Sequence, residues 1–279
     1  MLKYIVIIIG VTVWLLSSWI GHFTDVSLKI FFLNIGQGDA ILVKSPDNKY
    51  LLIDSGPDQT VLSELSAVMP FWIRTIDLVI ATHPDADHIG GLLDISQRYT
   101  IALVLYNKLD ESSQLAKNLK EFWQKQAIKV KGINADEDFT FGCCIFLDFL
   151  WPLAQADLSK LASNNASISF VLKYQWFSAF FGGDLSKKYE EQVAKNYRSK
   201  VNVLKVGHHG SKTSTSGVFL QIFQPQLAVI SVGYKNRYGH PSLEVIKLLQ
   251  DYSVKTLRTD EVDRIILTSD GRKFSVGFT

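Results

Sequence analysis

The sequence has little cysteine and little net charge of either sign. Its two cysteines, Cys143 and Cys144, are adjacent in the apolar run CCIFLDFL, so they suit neither a disulfide framework nor a metal site, and we expect both in the core. A net charge of +2 in 279 residues indicates no strongly basic surface for nucleic acid. Internal repeats and low-complexity segments are also absent. The 47% of hydrophobic residues is ample for the core of one large domain.

The N-terminal segment carries no charged side chain between Lys3 and Asp25. Its apolar run over residues 4–20 is near the minimum of ~17 residues for a membrane-spanning helix. We therefore predict one N-terminal membrane-anchor helix within residues 1–24, an uncleaved signal anchor that leaves the domain of residues 25–279 outside the cytoplasm. A cleaved signal peptide, which would make the protein secreted, is one alternative, but no convincing small-x-small cleavage site follows. A buried strand or helix of the domain is the other.

The rest of the chain alternates between β-rich regions and strand–helix pairs. Short β-rich runs separated by turn signals fill residues 28–54, and a second β-rich region fills residues 128–181. Each region gives way to alternating apolar strands and amphipathic helices, at residues 76–126 and 185–252. Two such halves predict two sheets packed face to face with helices outside, which is one αββα domain of the α/β class.

The sequence THPDADHIGG holds four potential metal ligands within six residues. It follows the apolar strand IDLVIA and precedes a short helix, so His83, Asp85, Asp87 and His88 lie on one strand-to-helix turn. Such a turn can direct all four side chains to one point, and imidazole with carboxylate suits a divalent transition metal. A polar loop with an aspartate helix cap is the alternative. The alternating spacing favours the metal site.

Further candidate ligands also follow apolar strands, where sheet-based enzymes place their chemistry. Asp54, Asp184, His208 and His240 all occupy such positions. The sequence does not distinguish His208 from the adjacent His209 as a ligand. His240 lies between glycine and proline, so it is either a functional residue or part of a closing turn.

These motifs, in this order, resemble those of the metallo-β-lactamase superfamily. Asp54, the 83–88 loop, Asp184 and His208 match four of the five steps of its ligand pattern, while the middle histidine is missing. More narrowly, residues 28–278 resemble the C-terminal domain of ComEC-type competence proteins. The chain contains, in order, their Gly-Gln-Gly-Asp, Ile-Asp-x-Gly, His-Pro-Asp-x-Asp-His-x-Gly-Gly, Gly-Asp, His-His-Gly-Ser and Gly-His-Pro motifs.

The resemblance implies a metal-dependent hydrolase of αββα fold that binds two divalent ions, Zn²⁺ or Mn²⁺. The ligands it implies are His83, Asp85, Asp87, His88, Asp184 and His208. His83 and Asp85 would hold one ion, Asp87, His88 and His208 would hold the second, and Asp184 would bridge the pair. With Asp85 in place of histidine and no middle histidine, the first site is oxygen-rich, which makes manganese a competitor to zinc. Asp87 and His240 are the expected catalytic residues, with His240 steadying or protonating the departing oxygen.

Six further residues are expected to bind substrate or support the ligands: Asp54, Asn165, Ser167, His209, Ser211 and Lys212. Asn165 and Ser167 stand in the region of the missing ligand and would bind a water or a substrate phosphate. Asp54 either orients a ligand histidine or caps a turn. Ser211 and Lys212 are candidate phosphate contacts. The hairpin turn at residues 37–39 is expected either at the edge of the site or away from it.

The resemblance favours hydrolysis of a phosphodiester in DNA by a metal-bridging hydroxide, in connection with DNA uptake. The chain lacks the many membrane helices of a complete uptake channel, which leaves the transport role open. One alternative is another phosphodiester or ester, such as a choline-phosphate head group. The other is a metal-binding module without catalytic activity.

Overall fold

A computed structural model describes residues 2–24, 26–107 and 113–278. Residues Leu2–Thr24 form helix α1, in the segment where we predict the membrane anchor. Among the helices of these ranges, none has the combination of length and apolar character that crossing a membrane requires. The predicted anchor, and the localisation inferred from it, therefore have no support from the structure.

The remaining elements form two sheets and the helices that cover them. The strands are β1 (Leu28–Phe32), β2 (Ile41–Lys44), β3 (Tyr50–Ile53), β4 (Thr75–Ile76), β5 (Leu78–Ile80), β6 (Thr100–Ile101), β7 (Val104–Leu105), β8 (Val130–Lys131), β9 (Asp138–Phe141), β10 (Ile145–Trp151), β11 (Ser169–Tyr174), β12 (Phe177–Phe181), β13 (Val203–Lys205), β14 (Leu227–Ile230), β15 (Lys255–Arg258), β16 (Ile265–Ser269) and β17 (Phe274–Phe278). The helices are α2 (Thr60–Val68), α3 (Ala86–Ile89), α4 (Leu92–Arg98), α5 (Gln114–Lys125), α6 (Lys187–Tyr197), α7 (Gly217–Phe223), α8 (Leu243–Asp251) and α9 (Thr259–Val262). Short 3₁₀ turns occupy Leu158–Lys160, Asn164–Ala166 and Gly207–Gly210.

Strand pairing joins the two ends of the domain. The eight-stranded first sheet has the order β17-β16-β1-β2-β3-β5-β7-β8, so the last two strands return to pair beside β1. The seven-stranded second sheet has the order β15-β14-β13-β12-β11-β10-β9. Strands β4 and β6 form a separate parallel pair.

One core lies between the two sheets, and each sheet has a second core on its outer face. The inner core joins residues of both sheets, including Phe32, Phe170 and Phe181. Helices α2, α4 and α5 cover the outer face of the first sheet, and α6, α7 and α8 cover that of the second. Strands β2, β3 and β5 are buried along their whole length because both of their faces are covered. The predicted αββα arrangement is confirmed.

The parallel strands determine where loops meet. Strands β3 and β5 run parallel in the first sheet, as do β12, β13 and β14 in the second. The carboxyl ends of parallel strands lie at one edge of a sheet, and these two edges face each other across the inner core. The loops that leave them carry Asp54, the 83–88 segment, Asp184 and the two adjacent histidines.

The two cysteines do not lie in the core. Cys143 and Cys144 are exposed in the turn that joins β9 to β10, and their sulfur atoms are bonded to each other. The prediction of buried cysteines is wrong because both lie in the turn that precedes β10, which begins only at Ile145.

Candidate metal centre

The carboxylate of Asp184 lies at the middle of a cluster of imidazoles. Asp184 Oδ1 is 3.3 Å from Nε2 of His88. Asp184 Oδ2 is 3.9 Å from Nε2 of His83, 3.7 Å from Nε2 of His208 and 3.8 Å from Nε2 of His209. These separations exceed those of good hydrogen bonds. They are close to the spacing of about 3.4 Å between ligand atoms that share a tetrahedral ion.

Two aspartates of the 83–88 loop complete the cluster from opposite sides. Asp85 Oδ2 is 3.7 Å from Nε2 of His83, and Asp87 Oδ2 is 3.3 Å from Nε2 of His209. Ligand atoms lie within 4.8 Å of one another in the set His83, His88 and Asp184, and again in the set Asp87, His88 and His209.

Several buried atoms of this cluster lack a hydrogen-bond partner within the described part of the chain. They are Nε2 of His83, His88 and His209, and Oδ1 of Asp184. Burying an unpaired polar atom is unfavourable, so native proteins rarely leave several together. All four are atom types that bind divalent transition metals. The residues present therefore fit a metal centre.

Asp54 supports the 83–88 loop through contacts with Thr82 and His88. Its carboxylate accepts hydrogen bonds from the backbone N–H of Thr82 at 2.8 Å and from the Thr82 hydroxyl at 2.7 Å. Its Oδ2 also lies 2.8 Å from Nδ1 of His88. With Nδ1 engaged by Asp54, His88 presents Nε2 to Asp184. Of the two expectations for Asp54, the geometry matches that of a residue that orients a ligand.

A buried ion pair supports His209, and sequence reasoning missed it. Nδ1 of His209 lies 3.0 Å from the Ser231 carbonyl oxygen and 3.3 Å from Oδ1 of Asp39. The ammonium of Lys205 donates to Oδ2 of Asp39 at 2.7 Å, and both side chains are almost completely buried. The available signal was a lysine inside the apolar strand β13.

The hairpin turn at residues 37–39 touches this site directly. The Asp39 N–H donates to the Asp87 carbonyl oxygen at 3.1 Å. A Cβ on Gly38 would lie only 2.3 Å from that same oxygen, and Gly38 has φ +133°, so glycine is required there. The Gly-Gln-Gly-Asp motif thus packs the hairpin against the histidine loop.

Two successive left-handed residues send the adjacent histidines in different directions. His208 has φ 48° and His209 has φ 52°. His209 is buried beside Asp87, whereas His208 has a side chain 29% exposed and places Nδ1 3.0 Å from the Thr213 hydroxyl. The Nε2 atoms of both histidines lie within 4 Å of the Asp184 carboxylate, at 3.7 Å for His208 and 3.8 Å for His209.

The segment in the region of the missing middle ligand is held by hydrogen bonds within the protein. The Ser167 hydroxyl donates to the Asn164 carbonyl at 2.6 Å and accepts from the Asp184 N–H at 3.1 Å. The Asn165 side chain accepts from the Ser186 N–H at 3.3 Å. These groups are engaged within the protein, and the Ser167 hydroxyl also lies 3.4 Å from Nδ1 of His83, so Ser167 supports a predicted ligand. Contact of Asn165 and Ser167 with substrate stays a prediction. Their neighbours also approach the cluster: Ser163 donates to Asp85, and Asn164 Nδ2 lies 3.5 Å from Nε2 of His208.

The remaining predicted residues lie around the rim. The His240 ring is 5.7 Å from the His208 ring and is partly exposed. Ser211 is buried, with its hydroxyl 2.9 Å from that of Thr213. Lys212 is exposed on the same turn.

Opposite charges within the cluster shift the pKa values of its side chains. Burial raises the pKa of Asp184, but the imidazoles of His88, His209 and His83 outweigh burial and hold that pKa well below its usual range. Burial lowers the pKa of His209, yet Asp184 and Asp39 raise it to about 9. The cluster holds five carboxylates, those of Asp39, Asp54, Asp85, Asp87 and Asp184, against the single ammonium of Lys205. Such an excess of negative charge favours the binding of divalent cations.

The family is identified by a match in the first half of the domain. Residues 33–151 match the metallo-beta-lactamase superfamily. The chain carries a metallo-beta-lactamase domain. The matched range includes Asp54 and the whole 83–88 loop. These residues provide the part of the cluster that comes from the first sheet.

Two curated relatives are competence-type proteins. ComE operon protein 3 of Bacillus subtilis (strain 168) is 31% identical over 251 residues, which cover 84% of this chain and 32% of that protein. Competence protein ComA of Neisseria gonorrhoeae is 30% identical over 232 residues, which cover 81% of this chain and 30% of that protein. The predicted resemblance to competence proteins of the ComEC type is confirmed, and the chain spans about a third of the length of these relatives.

A solved structure supports the fold. CmlA, a diiron beta-hydroxylase from Streptomyces venezuelae, superposes on the metallo-beta-lactamase domain with a TM-score of 0.59. The superposition covers 88% of this chain and 54% of that one, at 14% sequence identity. At this identity the likeness shows the fold alone.

Proposed function

We propose that this protein is a metal-dependent phosphodiesterase that cleaves nucleic acid, with two divalent ions, Zn²⁺ or Mn²⁺, as cofactors. The observation that carries the proposal is the buried carboxylate of Asp184, whose two oxygens face unpaired imidazole nitrogens on both sides. A carboxylate in that position serves two ions at once.

The ligand atoms divide into two sets that share Asp184. The first set is His83, Asp85, Asp184 and His208. The second set is Asp87, His88, Asp184 and His209. In this assignment His208 supplies the nitrogen that the missing middle histidine supplies in the family pattern, and both adjacent histidines are ligands.

The chain's own groups prepare the site for a charged substrate. Two bound divalent ions supply a nucleophilic water near neutral pH and neutralise charge on a phosphoryl group. Asp54 and Asp39 hold the imidazoles of His88 and His209 so that each directs one nitrogen inward. His240 lies at the open rim beside His208, where it steadies or protonates the departing oxygen.

Nucleic acid is favoured as substrate because the curated relatives include competence proteins. A carboxylate-rich centre that is neutralised by two cations also suits a negatively charged phosphodiester. Hydrolysis of another phosphodiester or ester is the second candidate, and a metal-binding module without activity is the third.

The test uses the full chain loaded with Mn²⁺ or Zn²⁺. Single- and double-stranded DNA, RNA, bis(p-nitrophenyl) phosphate and a phosphocholine ester are offered as substrates. We expect cleavage of nucleic acid and of the small phosphodiester, and loss of both in Asp184→Ala. The matched control is Asp251→Ala, which removes an exposed carboxylate at the end of α8.

Each other result contradicts part of the proposal. If the loaded chain hydrolyses only the small phosphodiester or the phosphocholine ester, nucleic acid is not the substrate. If it hydrolyses none of the substrates, the module without activity is the better account.

A further inference from the structure

The loop between β14 and α8 carries an exposed row of rings and cations beside the metal centre. Tyr234 is 72% exposed and Tyr238 is 53% exposed, although large aromatic side chains are usually more buried. Lys235 and Arg237 alternate with them and are also exposed. The ligand assignment uses none of these four residues.

The rings form a continuous row that starts at a proposed ligand. From His208 the row passes to His240, with ring centroids 5.7 Å apart. The next ring is Tyr238, stacked on His240 at 6.0 Å with an angle of 17° between the planes. The guanidinium of Arg237 lies over the Tyr238 ring at 4.9 Å and donates to its hydroxyl at 2.8 Å. The row therefore leads from the metal centre towards solvent and ends in a flat cation.

Asn236 fixes the conformation of this loop. Its side-chain oxygen accepts hydrogen bonds from the N–H groups of Tyr238 at 3.1 Å and His240 at 3.0 Å. Its amide donates to the carbonyl oxygens of Gly233 at 3.0 Å and His240 at 2.5 Å. These hydrogen bonds restrict the conformation of the loop that carries the exposed rings. Less conformational entropy is therefore lost when a ligand binds.

The Gly-Gln-Gly-Asp hairpin also contacts the loop between β14 and α8. The Gly233 N–H donates to Oε1 of Gln37 at 3.2 Å. A Cβ on Gly233 would lie 2.7 Å from the Gln37 backbone nitrogen, so the loop and the hairpin are in close contact. The same hairpin holds Asp39 against His209, and it therefore fixes the loop relative to the metal centre.

The charge of the loop suits an anionic ligand. Residues 231–242 contain two cations and no carboxylate. The hydrogen bond from Arg237 to Tyr238 is the main reason that the pKa of Arg237 is raised, and the Asp87 carboxylate adds to it. Within the loop, the positive charges of Lys235 and Arg237 therefore meet no opposing carboxylate.

Exposed rings interleaved with cations bind unpaired nucleic acid, because bases stack on the flat groups while phosphates meet the charges. A quaternary ammonium head group also binds aromatic faces. Here, however, Lys235 lies over Tyr234 at 5.1 Å and Arg237 lies over Tyr238, so a cationic head group meets repulsion. A duplex keeps its base faces covered and offers this loop only phosphates.

We infer that the loop of residues 234–240 is a platform for single-stranded nucleic acid, on which an unpaired base stacks against the Tyr238–Arg237 pair. Lys235 contacts a flanking phosphate, and the adjoining phosphodiester enters the metal centre past His240. The inference rests on the proposed function and deepens it, since it selects single strands over duplexes as the substrate class.

Binding measurements on the full chain test the platform separately from hydrolysis. Fluorescence anisotropy follows a labelled twelve-nucleotide oligothymidylate and a duplex of equal length. One series contains EDTA, so that nothing is cleaved, and a second contains Mn²⁺ with phosphorothioate strands. Tyr238→Ala should weaken single-strand binding by about 5- to 100-fold, the usual range for losing one stacked base. Tyr238→Phe should retain most of the affinity.

The matched control is Trp176→Ala, which removes an aromatic side chain 80% exposed in the turn between β11 and β12. It should not change binding. A strand with 2-aminopurine reports stacking itself, because the fluorescence of this base is quenched when it stacks. The parent chain and Tyr238→Phe should quench it, and Tyr238→Ala should not.

Two outcomes overturn the inference. Equal affinity of the parent and Tyr238→Ala for single strands excludes the platform, whether or not the chain hydrolyses bis(p-nitrophenyl) phosphate. Equal loss of single-strand and duplex binding in Tyr238→Ala, without a change in quenching, shows a phosphate contact rather than a stacked base. Failure of the proposed function is a separate result, namely no hydrolysis of the small phosphodiester by a parent chain that still binds single strands.

Discussion

A single carboxylate connects the two proposed metal positions, and its removal should have an effect unlike that of any one histidine. We expect the parent chain to hold about two ions, Asp184→Ala to hold almost none, and His208→Ala and His209→Ala to retain about one each. Elemental analysis of the purified, metal-loaded variants measures this. Asp251→Ala should match the parent. Full metal content in Asp184→Ala refutes the shared ligand, and full content in His208→Ala refutes the assignment of that histidine.

The buried Lys205–Asp39 pair should matter for stability and for metal affinity in different ways. Lys205→Met removes the ammonium that pairs with the buried Asp39 carboxylate and leaves it only the His209 imidazole; breaking a buried ion pair typically costs about 3–5 kcal/mol of unfolding free energy. The double variant Lys205→Met/Asp39→Leu removes both charges and should recover much of that stability. Its metal affinity should stay about 10- to 100-fold below the parent, because His209 has lost the carboxylate beside Nδ1.

Chemical denaturation and metal titration separate these two effects. Lys173→Met is the matched control, since Lys173 pairs with Asp148 at 2.6 Å on a partly exposed part of the second sheet. Recovery of metal affinity together with stability in the double variant contradicts the orienting role of Asp39.

Glu190 makes stability depend on pH. It is fully buried on α6, where burial raises its pKa from 4.5 to about 8 despite the hydrogen bond from the Thr215 N–H. The folded chain therefore keeps the proton that the unfolded chain releases. The contribution of Glu190 is fully present below pH 4.5 and is lost as pH rises to about 8.

Replacing Glu190 with glutamine removes this titration while preserving shape. Above pH 8 we expect the unfolding free energy of Glu190→Gln to exceed that of the parent by on the order of a few kcal/mol, so the variant should unfold at a higher temperature. Near pH 5 the two proteins should unfold at nearly the same temperature. Calorimetry across this pH range is the measurement, and a constant difference at every pH contradicts a titrating Glu190.

Among the elements, those with local sequence signals were predictable and those set by backbone conformation were not. The 83–88 loop was recognisable because four ligands lie on one turn after an apolar strand. That His208 and His209 both face Asp184 depends on two successive left-handed residues, which no spacing reveals. The hydrogen bond from the Asp184 N–H to the Ser167 hydroxyl joins two separate loops, so no local spacing indicates it either.

The loop between β14 and α8 allows a test of catalysis without loss of metal. His240 is not in either proposed ligand set, so His240→Ala should keep its metal content. Loss of a group that steadies or protonates the leaving oxygen lowers turnover by about 10²- to 10⁴-fold. Rates of cleavage of a DNA strand, whose departing alkoxide needs a proton far more than p-nitrophenolate does, are measured beside the metal content. Unchanged turnover with normal metal content removes His240 from the catalytic residues.

For the whole molecule, the metal centre joins the two sheets. Asp54 and the 83–88 loop come from the first sheet, while Asp184 and the two adjacent histidines come from the second. Ions bound by the proposed ligands would therefore connect two halves that are otherwise held by the inner core and by the return of β16 and β17. The two halves were foreseen from the pattern of strands and helices. The return was not, because pairing between β1 and β16 leaves no local signal.

Metal binding should stabilise both sheets together. At a free metal concentration about 100 times the dissociation constant, linkage contributes about 2.7 kcal/mol, or roughly 5–10 °C in melting temperature. Calorimetry of the parent chain should show one transition that moves upward with Mn²⁺ or Zn²⁺. Asp184→Ala should melt at a temperature that does not depend on metal. Two separate transitions, of which one shifts with metal, contradict a centre shared by the sheets.

The return of the last strands also has a consequence during translation. Strand β1 ends at Phe32 and its outer partner β16 begins at Ile265, so 232 residues must be added before that partner exists. At the usual pace of a ribosome this takes roughly ten to fifty seconds. Throughout that time β1 is an open sheet edge of apolar sequence, ready to pair with a neighbouring nascent chain.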